Sequence, residues 1–321
     1  MAPLTTALSS LSARAQGFAR LLTLTFTGTP STFIASTLST STYWGCIGWG
    51  NGLFIALSGN TNSGSFDGIN WFTVTLPLNA GWGGIAYGNG HFVTVAGGPG
   101  TFAAYSTNGT TWTNSTLPSS QIWVDAAYGL VGATPYFVAI AQTSAVAAYS
   151  TNATTWSSAT LPSSTNWTSV TYGNGYFVAV TGATTAGAYS TNGTTWTAST
   201  GTATFSQDVA YGLVGSTPTF VAVFNPTSAY STNGSSWNAM TMPGSSNFAG
   251  VAFGNGYFVA TGYGGSVGAY STNGTTWTAN NIIISGASYH PIAYGSGVFA
   301  VIPQGLSVNT SSYFAFTRNY S

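Results

Sequence analysis

Short segments with apolar or alternating residues recur along the chain, and polar turns rich in glycine and asparagine separate them. The repeat at residues 167–200 contains four such segments, at residues 167–172, 176–180, 186–190 and 194–199. Their β-branched and aromatic residues favour strands, and the Asn-Gly pairs between them are typical of tight hairpin turns. Four antiparallel strands in a repeat of about 40 residues predict one blade of a β-propeller.

Two sequence motifs mark the repeat. The first is an aromatic residue followed by glycine, a short turn and Phe-Val-Ala or a close variant, and its copies start at Trp49, Tyr87, Tyr128, Tyr172, Tyr211, Phe253 and Tyr294. The second, which we call the box, reads Ser-Thr-Asn-Gly-Thr-Thr-Trp in its regular form. Its Asn or Asp is expected to form a turn by accepting hydrogen bonds from nearby backbone N–H groups. The predicted turn residues are Asp67, Asn108, Asn152, Asn192, Asn233, Asn273 and Asn309. Each motif occurs seven times, which predicts an all-β, seven-bladed propeller of four-stranded antiparallel blades.

The first 22 residues have a different pattern, which predicts a short N-terminal amphipathic helix. Its apolar seam, spaced by three and four positions, consists of Leu4, Leu8, Leu11, Ala15, Phe18 and Leu22. The chain is therefore expected to divide into a docking or oligomerisation helix at residues 1–22 and a propeller at residues 23–321. Because so short a helix is marginal alone, it is expected to trimerise the chain, to dock it on a larger assembly or to fold back on the propeller. A targeting segment is a further alternative.

The two ends of the propeller region are expected to meet. Residues 23–40 resemble the box and fourth strand of a repeat, which predicts a half-blade. The last repeat ends in aromatic residues at 313–317, so either end can supply the outer strand of the final blade. Closure of the ring in this way removes an exposed sheet edge.

Charged residues are almost absent. The chain has three Arg and three Asp, with no Lys and no Glu, whereas charged residues are about a quarter of an ordinary protein. Phosphate contacts need clustered Lys and Arg, so we expect no nucleic acid partner. No apolar run of about 18 residues occurs, so no membrane span is expected. The single Cys46 decides nothing about the redox compartment.

The box resembles the Asp-box of sialidase-like (BNR-repeat) β-propellers, with Asn in place of Asp in most copies. The resemblance covers about residues 40–317 and implies the propeller fold. Asp-boxes in that family are structural turns remote from the active site, so the resemblance implies no activity. The family's catalytic groups are three Arg, a Tyr assisted by Glu, and an Asp. This chain has no Glu, and Arg318 is its one Arg beyond Arg20. We therefore expect no enzyme activity, no cofactor and no metal site.

Asp125 and Asp208 are the remaining candidate site residues. Each lies three positions before the aromatic residue of a repeat that also has a longer loop, and each is predicted to lie on an innermost strand. Duplication of one repeat together with its loop explains the pair without a function. The alternative is a ligand or cation site at the mouth of the channel.

The repeats are also similar to those of bacteriophage tail and fibre proteins. We therefore expect a non-catalytic virion or tail-associated structural protein of a bacteriophage, located in the virion or outside the cell. Residues 1–22 would bind other virion or assembly proteins, and the propeller would be displayed for host-surface attachment. The alternative is a secreted or surface carbohydrate-binding adhesin, whose aromatic and amide side chains bind a cell-surface glycan.

Overall fold

The structure is a β-propeller. This computed structural model describes residues 34–42, 44–59, 61–182, 187–201, 207–224, 227–244, 247–262, 267–281, 288–304 and 308–315. These residues contain 29 strands and no helix. The predicted helix at residues 1–22 and the first part of the predicted half-blade lie outside the described residues.

The strands in chain order are β1 (Ile34–Thr42), β2 (Cys46–Gly50), β3 (Leu53–Leu57), β4 (Thr61–Ser65), β5 (Phe72–Thr75), β6 (Trp82–Gly88), β7 (His91–Ala96), β8 (Gly100–Ser106), β9 (Thr113–Gln121), β10 (Trp123–Val131), β11 (Thr134–Ala141), β12 (Ser144–Ser150), β13 (Ser157–Thr165), β14 (Trp167–Gly173), β15 (Tyr176–Thr181), β16 (Gly187–Ser190), β17 (Thr197–Ala198), β18 (Thr200–Gly201), β19 (Asp208–Val214), β20 (Thr217–Val223), β21 (Thr227–Ser231), β22 (Ser236–Thr241), β23 (Phe248–Gly254), β24 (Tyr257–Gly262), β25 (Val267–Ser271), β26 (Thr278–Asn281), β27 (Ser288–Gly295), β28 (Val298–Gln304) and β29 (Val308–Ala315).

These strands form seven sheets, numbered by their order in the chain. Sheet 1 is β2–β5, sheet 2 is β6–β9, sheet 3 is β10–β13, sheet 4 is β14–β17, sheet 5 is β18–β22, sheet 6 is β23–β26, and sheet 7 is β27–β29 with β1. The innermost strands contact one another in the cyclic order β2, β6, β10, β14, β19, β23, β27 and back to β2. Six of these sheets are four-stranded antiparallel blades, as predicted. Sheet 5 has a fifth strand, so the number of four-stranded blades is six and not the predicted seven.

The fifth strand of sheet 5 is a link between neighbours. Strand β18 follows β17 of sheet 4 and pairs in parallel with the start of β22, at Thr200 with Ser236 and at Gly201 with Trp237. Single parallel bridges occur at the corresponding edges of earlier sheets, at Thr116 with Thr155 and at Thr160 with Thr195. The pairing of β18 with β22 is therefore a longer version of a parallel contact that recurs between the outer edges of neighbouring sheets.

The N-terminal end supplies the outer strand of sheet 7. Strand β1 pairs antiparallel with β29, with Ile34 opposite Tyr313, and Leu38 in β1 is buried. We call the end of the channel at which the innermost strands begin the mouth, and the opposite end the hairpin face, because the hairpins to the second strands lie there. Alternating strand directions place the start of β1 and the end of β29 on the hairpin face. The described chain therefore starts and ends on the face opposite the mouth.

Burial follows the position of a strand within its sheet. Every residue of the second strand β3 is buried, and β7 and β15 are buried in all but their first residue. The outer strand β13 is mostly exposed. Because neighbouring sheets cover both faces of a second strand, the Phe-Val-Ala motif forms the core, and Ser and Thr lie at the rim.

An aromatic residue and a glycine join each sheet to the next. A Cβ atom added to Gly173 would lie 2.0 Å from Cγ of Tyr211, which belongs to the next sheet. The glycine of the aromatic-Gly motif is thus required because the aromatic ring of the next repeat lies against it. The same contact recurs around the ring, in the pairs Gly50–Tyr87, Gly88–Tyr128, Gly129–Tyr172, Gly173–Tyr211, Gly212–Phe253, Gly254–Tyr294 and Gly295–Trp49.

Candidate functional site: the central channel

The central channel contains two adjoining cavities. The larger, of about 810 Å³, lies at the mouth. The smaller, of about 190 Å³, lies deeper between the innermost strands. Five residues line both cavities, so the two are continuous: Gly45, Gly83, Val124, Thr168 and Gln207. The volume of the larger cavity is typical of small-molecule sites.

The mouth is lined by uncharged hydrogen-bonding groups. Asn79, Gln142 and Gln207 contribute amide side chains, and several glycines contribute bare backbone. Gln142 donates from Nε2 to Oδ1 of Asn166 at 2.9 Å, which orients one of these amides. A ligand with hydroxyl or amide groups matches such a surface, because each lining group can donate or accept without a net charge.

The tryptophans at the mouth brace its rim. Trp82 and Trp167 line the cavity, but they are only 2% and 0% exposed. Trp82 donates from Nε1 to the carbonyl of Gly59 at 3.0 Å, and Trp167 donates to that of Ser163 at 3.1 Å. Their rings are buried, so these two tryptophans offer no stacking surface to a ligand. The half-exposed aromatic residues of the repeat, such as Tyr172, lie at the hairpin face instead.

Asp125 and Asp208, the predicted pair, line the deeper cavity. They belong to sheets 3 and 5, and Ser169 of sheet 4 lies between them. The Ser169 hydroxyl oxygen lies 2.9 Å from Oδ2 of Asp125 and 2.8 Å from Oδ1 of Asp208. The structure therefore brings the two carboxyl groups together although their sheets are not adjacent.

Each carboxyl group also binds the backbone of the next innermost strand. Asp125 Oδ2 accepts from the N–H of Val170 in sheet 4 at 2.9 Å. Asp208 Oδ2 accepts from the N–H of Val251 in sheet 6 at the same distance. The Asp125 side chain also lies over Gly84 of sheet 2, where an added Cβ would be 2.5 Å from Oδ1. These contacts fix both carboxyl groups between neighbouring sheets.

Both carboxyl groups have a raised pKa. Burial raises the pKa of Asp125 to about 7, and the Asp208 charge adds to the effect, against the hydrogen bonds from Val170, Ser169 and Ala126. Burial likewise raises the pKa of Asp208 to about 6, against its hydrogen bonds from Val251, Ser169 and Val209. Near neutral pH, the structure thus disfavours two full negative charges in the channel.

Cys46 lies at the level of this pair in the deeper cavity. Burial, followed by the charge of Asp125, raises the pKa of its thiol well above the usual range. The group is therefore a neutral thiol at neutral pH, and the reactive thiolate form is suppressed.

Sequence reasoning missed Ser169, although a signal for it exists. The residue three positions before the repeat aromatic occupies one level of the channel, and it is a carboxyl-bearing residue in only two repeats. In chain order these residues are Cys46, Gly84, Asp125, Ser169, Asp208, Gly250 and Pro291. Alignment of the repeats at this position places a hydroxyl between the two acids.

The box turns form the hydrogen bonds expected of them. In the second box, Asn108 Oδ1 accepts from the N–H groups of Thr110 at 2.9 Å and Thr111 at 2.8 Å, and Ser106 Oγ accepts from the N–H of Gly109 at 2.8 Å. The Asn or Asp side chain accepts the same pair of backbone bonds in the boxes of Asp67, Asn108, Asn152, Asn192, Asn233 and Asn273. An amide oxygen thus replaces the carboxylate without loss of these bonds.

Asp67 shows what the charge adds to a box. Burial alone would raise its pKa, but bonds from the backbone N–H groups of Asn70 and Ile69, the Asn70 side chain and Ser65 outweigh burial and lower the pKa. These turns lie at the ends of third strands on the hairpin face, away from the mouth. They are structural parts of the sheets rather than parts of the channel.

Asn309 does not form a box turn, because it lies within strand β29. The strand pairing explains the error. Tyr313 lies opposite Ala300, and Tyr270 lies opposite Val259, the residue of sheet 6 that corresponds to Ala300. Tyr313 therefore corresponds to the Tyr before a box serine and not to the box Trp. The predicted box at residues 307–313 was assigned out of register.

Within the described residues, no helix is long and apolar enough to cross a membrane. The same residues contain no group of three or more His, Cys, Asp or Glu side chains placed to hold a metal ion.

Comparison with known proteins identifies the fold alone. No protein-family model and no curated protein matches the sequence. Among solved structures, the chain is similar to YCF48 bound to D1 peptide, with a TM-score of 0.70, 14% identity and coverage of 93% of this chain and 99% of that one. It is also similar to a streptogramin B lyase, with a TM-score of 0.72, 15% identity and coverage of 89% and 98%. Virginiamycin B lyase from Staphylococcus aureus gives a TM-score of 0.72 at 11% identity, with coverage of 89% and 99%. Because these structures include both a peptide complex and lyases, the β-propeller that the chain shares with them is compatible with either an enzyme or a non-enzyme.

Proposed function

We propose that this chain is a non-catalytic binding propeller, attached by its N-terminal region to a larger particle, with the mouth of its channel as the ligand site. The particle is a bacteriophage virion or tail, and the ligand belongs to the host surface. The observation that carries this proposal is the direction of the chain. The described chain starts at Ile34 on the hairpin face, so a particle bound at that face would leave the mouth exposed.

The lining of the mouth supports an uncharged, polar ligand. Asn79, Gln142 and Gln207 can donate and accept hydrogen bonds around a cavity of about 810 Å³. A neutral glycan presents hydroxyl groups of matching chemistry, and its binding would depend little on salt because no charges pair. We therefore assign the mouth to a neutral cell-surface glycan.

The groups of the channel support binding rather than catalysis. The carboxyl oxygens of Asp125 and Asp208 are occupied by bonds from Ser169 and from backbone N–H groups of neighbouring strands. The Cys46 thiol is buried and neutral. A general base or nucleophile must reach its substrate in an active protonation state, and these groups instead hold the sheets together.

The box geometry supports a relationship to the Asp-box propellers. Asp67 and Asn108 make matching bonds to the backbone two and three residues further along. We propose that the Asn-boxes are uncharged variants of Asp-boxes. This relationship concerns the fold and carries no activity with it.

Two other functions remain as alternatives. A secreted or surface adhesin would use the same mouth for a glycan without any particle. A peptide ligand is favoured by the similarity to a YCF48 structure that contains a bound peptide, since amides at the mouth also match peptide groups.

Attachment to a particle is tested by density-gradient fractionation of the source culture, followed by mass spectrometry. The proposal expects the chain to migrate with intact particles at fixed stoichiometry. In a recombinant particle, Leu8→Ser with Leu11→Ser should abolish incorporation, whereas Ser9→Ala with Ser12→Ala, off the apolar seam, should not. Recovery of the chain only as free protein would contradict attachment and favour the adhesin.

The ligand site is tested separately on an array of neutral oligosaccharides and a library of uncharged peptides. Gln142→Ala and Gln207→Ala should each weaken binding at least tenfold. Asn238→Ala changes an exposed amide on outer strand β22 and serves as the matched control. An equal loss of binding in the control, or unchanged binding in Gln142→Ala, would show that the mouth is not the ligand site. Binding of peptides without any binding of oligosaccharides would show that the ligand is a peptide and not a glycan.

A further inference from the structure

One hydroxyl group, that of Ser169, lies between the carboxyl groups of Asp125 and Asp208, and its single proton cannot serve both contacts. The Ser169 oxygen lies within hydrogen-bond distance of a carboxyl oxygen on both sides, at 2.9 Å and 2.8 Å. A serine hydroxyl has one proton and therefore donates to one acceptor at a time. If both carboxyl groups were ionised, one of the two short contacts would join two oxygens with no proton between them.

An additional proton satisfies both contacts. A protonated carboxyl group donates to the Ser169 oxygen, and the Ser169 hydroxyl donates to the ionised carboxylate on the other side. This arrangement keeps the backbone bonds of Val170 and Val251, because a carboxyl oxygen has more than one acceptor position.

We propose that Asp125, Ser169 and Asp208 share one additional proton, which joins the innermost strands of sheets 3, 4 and 5 and makes the propeller more stable in weak acid than above neutral pH. Release of the proton leaves two negative charges in the channel, beside a hydroxyl that can bond to only one of them. The bond that is lost lies between neighbouring sheets, so the propeller weakens where the innermost strands meet.

Few other ionisable groups lie at the level of this proton in the part of the chain that the structure describes. At the same level of the channel, the remaining positions are Cys46, Gly84, Gly250 and Pro291, of which only Cys46 titrates. Strand β27 also carries His290 next to Pro291. The pKa of Asp125, about 7, and that of Asp208, about 6, agree with a proton retained near neutral pH, and we assign it to the pair rather than to one residue.

The direction of the pH effect follows from linkage. An unfolded Asp has a pKa near 3.8, and the folded pair has pKa values of about 7 and about 6, so the folded chain binds one more proton than the unfolded chain near neutral pH and up to two more between about pH 4 and pH 6. Folding is therefore favoured below this window and weakened as the pH rises through it. One proton raises the unfolding equilibrium constant about tenfold for each pH unit.

The direct test is a carboxyl titration by 13C NMR on the full chain with labelled Asp. The chain has three Asp and no Glu, so three side-chain signals suffice, assigned by Asp→Asn variants. The Asp67 signal should titrate below its usual range. The other two should titrate together, with the first step near neutral pH, and Ser169→Ala should move that step. Independent titration of Asp125 and Asp208 below about pH 4.5, or a step unchanged in Ser169→Ala, would overturn the proposal.

The second test measures urea unfolding between pH 5 and pH 8. The native chain should lose stability as the pH rises, with the unfolding constant rising at least tenfold for each unit up to about pH 6 and about tenfold from pH 6 to pH 7. Asp125→Asn and Asp208→Asn should each reduce this dependence by about one proton, because one carboxyl group remains and burial still raises its pKa. Asp67→Asn and His290→Gln are the matched controls and should leave it in place. A flat profile in the native chain, or a profile that His290→Gln removes, would refute the shared proton.

Discussion

The contact between a repeat aromatic and the glycine of the preceding sheet gives a sharp test of how the ring is held together. In Gly173→Ala, the new methyl group would lie 2.0 Å from Cγ of Tyr211, whereas carbon atoms pack at about 3.5–4.0 Å. The methyl group points at the part of the ring nearest the backbone, so a small rotation of the side chain does not relieve the overlap. Either the strands separate or the Tyr211 ring leaves its site.

The magnitude follows from these two responses. Overpacking of a tight site costs about 1–3 kcal/mol. Expulsion of the ring loses the burial of Tyr211 and its contact with Phe220, whose ring centroid is 5.0 Å away, and together these cost about 2–4 kcal/mol. We therefore expect Gly173→Ala to reduce the free energy of unfolding by about 3 kcal/mol.

A double-mutant cycle separates this contact from the general cost of replacing a glycine. Tyr211→Ala removes the ring, so in a chain that carries Tyr211→Ala the further change Gly173→Ala should cost little stability. The loss of unfolding free energy in the double variant should therefore be about 2–3 kcal/mol smaller than the sum of the two single losses. Gly98→Ala is the control, because a Cβ at that position meets nothing within 4 Å. Urea unfolding followed by tryptophan fluorescence provides the measurement. Additive effects of Gly173→Ala and Tyr211→Ala, or an equal loss in Gly98→Ala, would refute the stated role of the glycine.

Three further predictions concern the box, the thiol and the closure of the ring. Asn192→Ala should destabilise the chain by about 1–2 kcal/mol, because the N–H groups of Thr194 and Thr195 lose their acceptor. Asn192→Asp should match the stability of the native chain at pH 7 and lose stability only as the pH falls below about 4, since these bonds favour the ionised form. Urea unfolding at pH 7 and below pH 4 measures both effects, and an equal loss of stability in Asn192→Ala and Asn192→Asp at pH 7 would contradict this prediction. Cys46 should react slowly with a thiol reagent in the folded chain and rapidly in urea, because its thiol is buried and neutral, and equal rates would show an accessible thiolate. Removal of residues 1–33 should leave a folded propeller, whereas removal of residues 1–42 also deletes β1, exposes the edge of β29 and should cause aggregation in light scattering; similar behaviour of the two truncations would show that β1 does not close the ring.

The features that the sequence predicts well are those that recur within one repeat. The strand from Tyr176 and the turn at Asn192 follow from residues only a few positions apart, and both lie as expected. The prediction of a box turn at Asn309 was wrong, because a degenerate motif gives little information about register. The pairing of β28 with β29 corrects it.

Features that join different repeats could not be predicted in the same way. Ser169 is 44 residues from Asp125 and 39 from Asp208, and their meeting depends on how the innermost strands are arranged around the channel. The fifth strand of sheet 5 likewise results from a contact between neighbouring sheets. The meeting of Asn79, Gln142 and Gln207 at one cavity depends on the direction of each strand in space, which the repeat pattern alone does not contain.

The carboxyl pair occupies a position in the channel that other sheets fill without an acidic residue. The position that Asp125 occupies in sheet 3 is held by Gly84 in sheet 2 and by Pro291 in sheet 7, so a sheet forms there without any acidic group. Burial of a carboxyl group opposes folding unless its charge is compensated, and in this chain the compensation comes from backbone N–H groups and Ser169 rather than from a basic residue. In a chain with only three acidic residues, two therefore lie where their ionisation is costly. The shared proton lowers this cost, and the comparison of Asp125→Asn with Asp67→Asn between pH 5 and pH 8 tests whether it does so in solution.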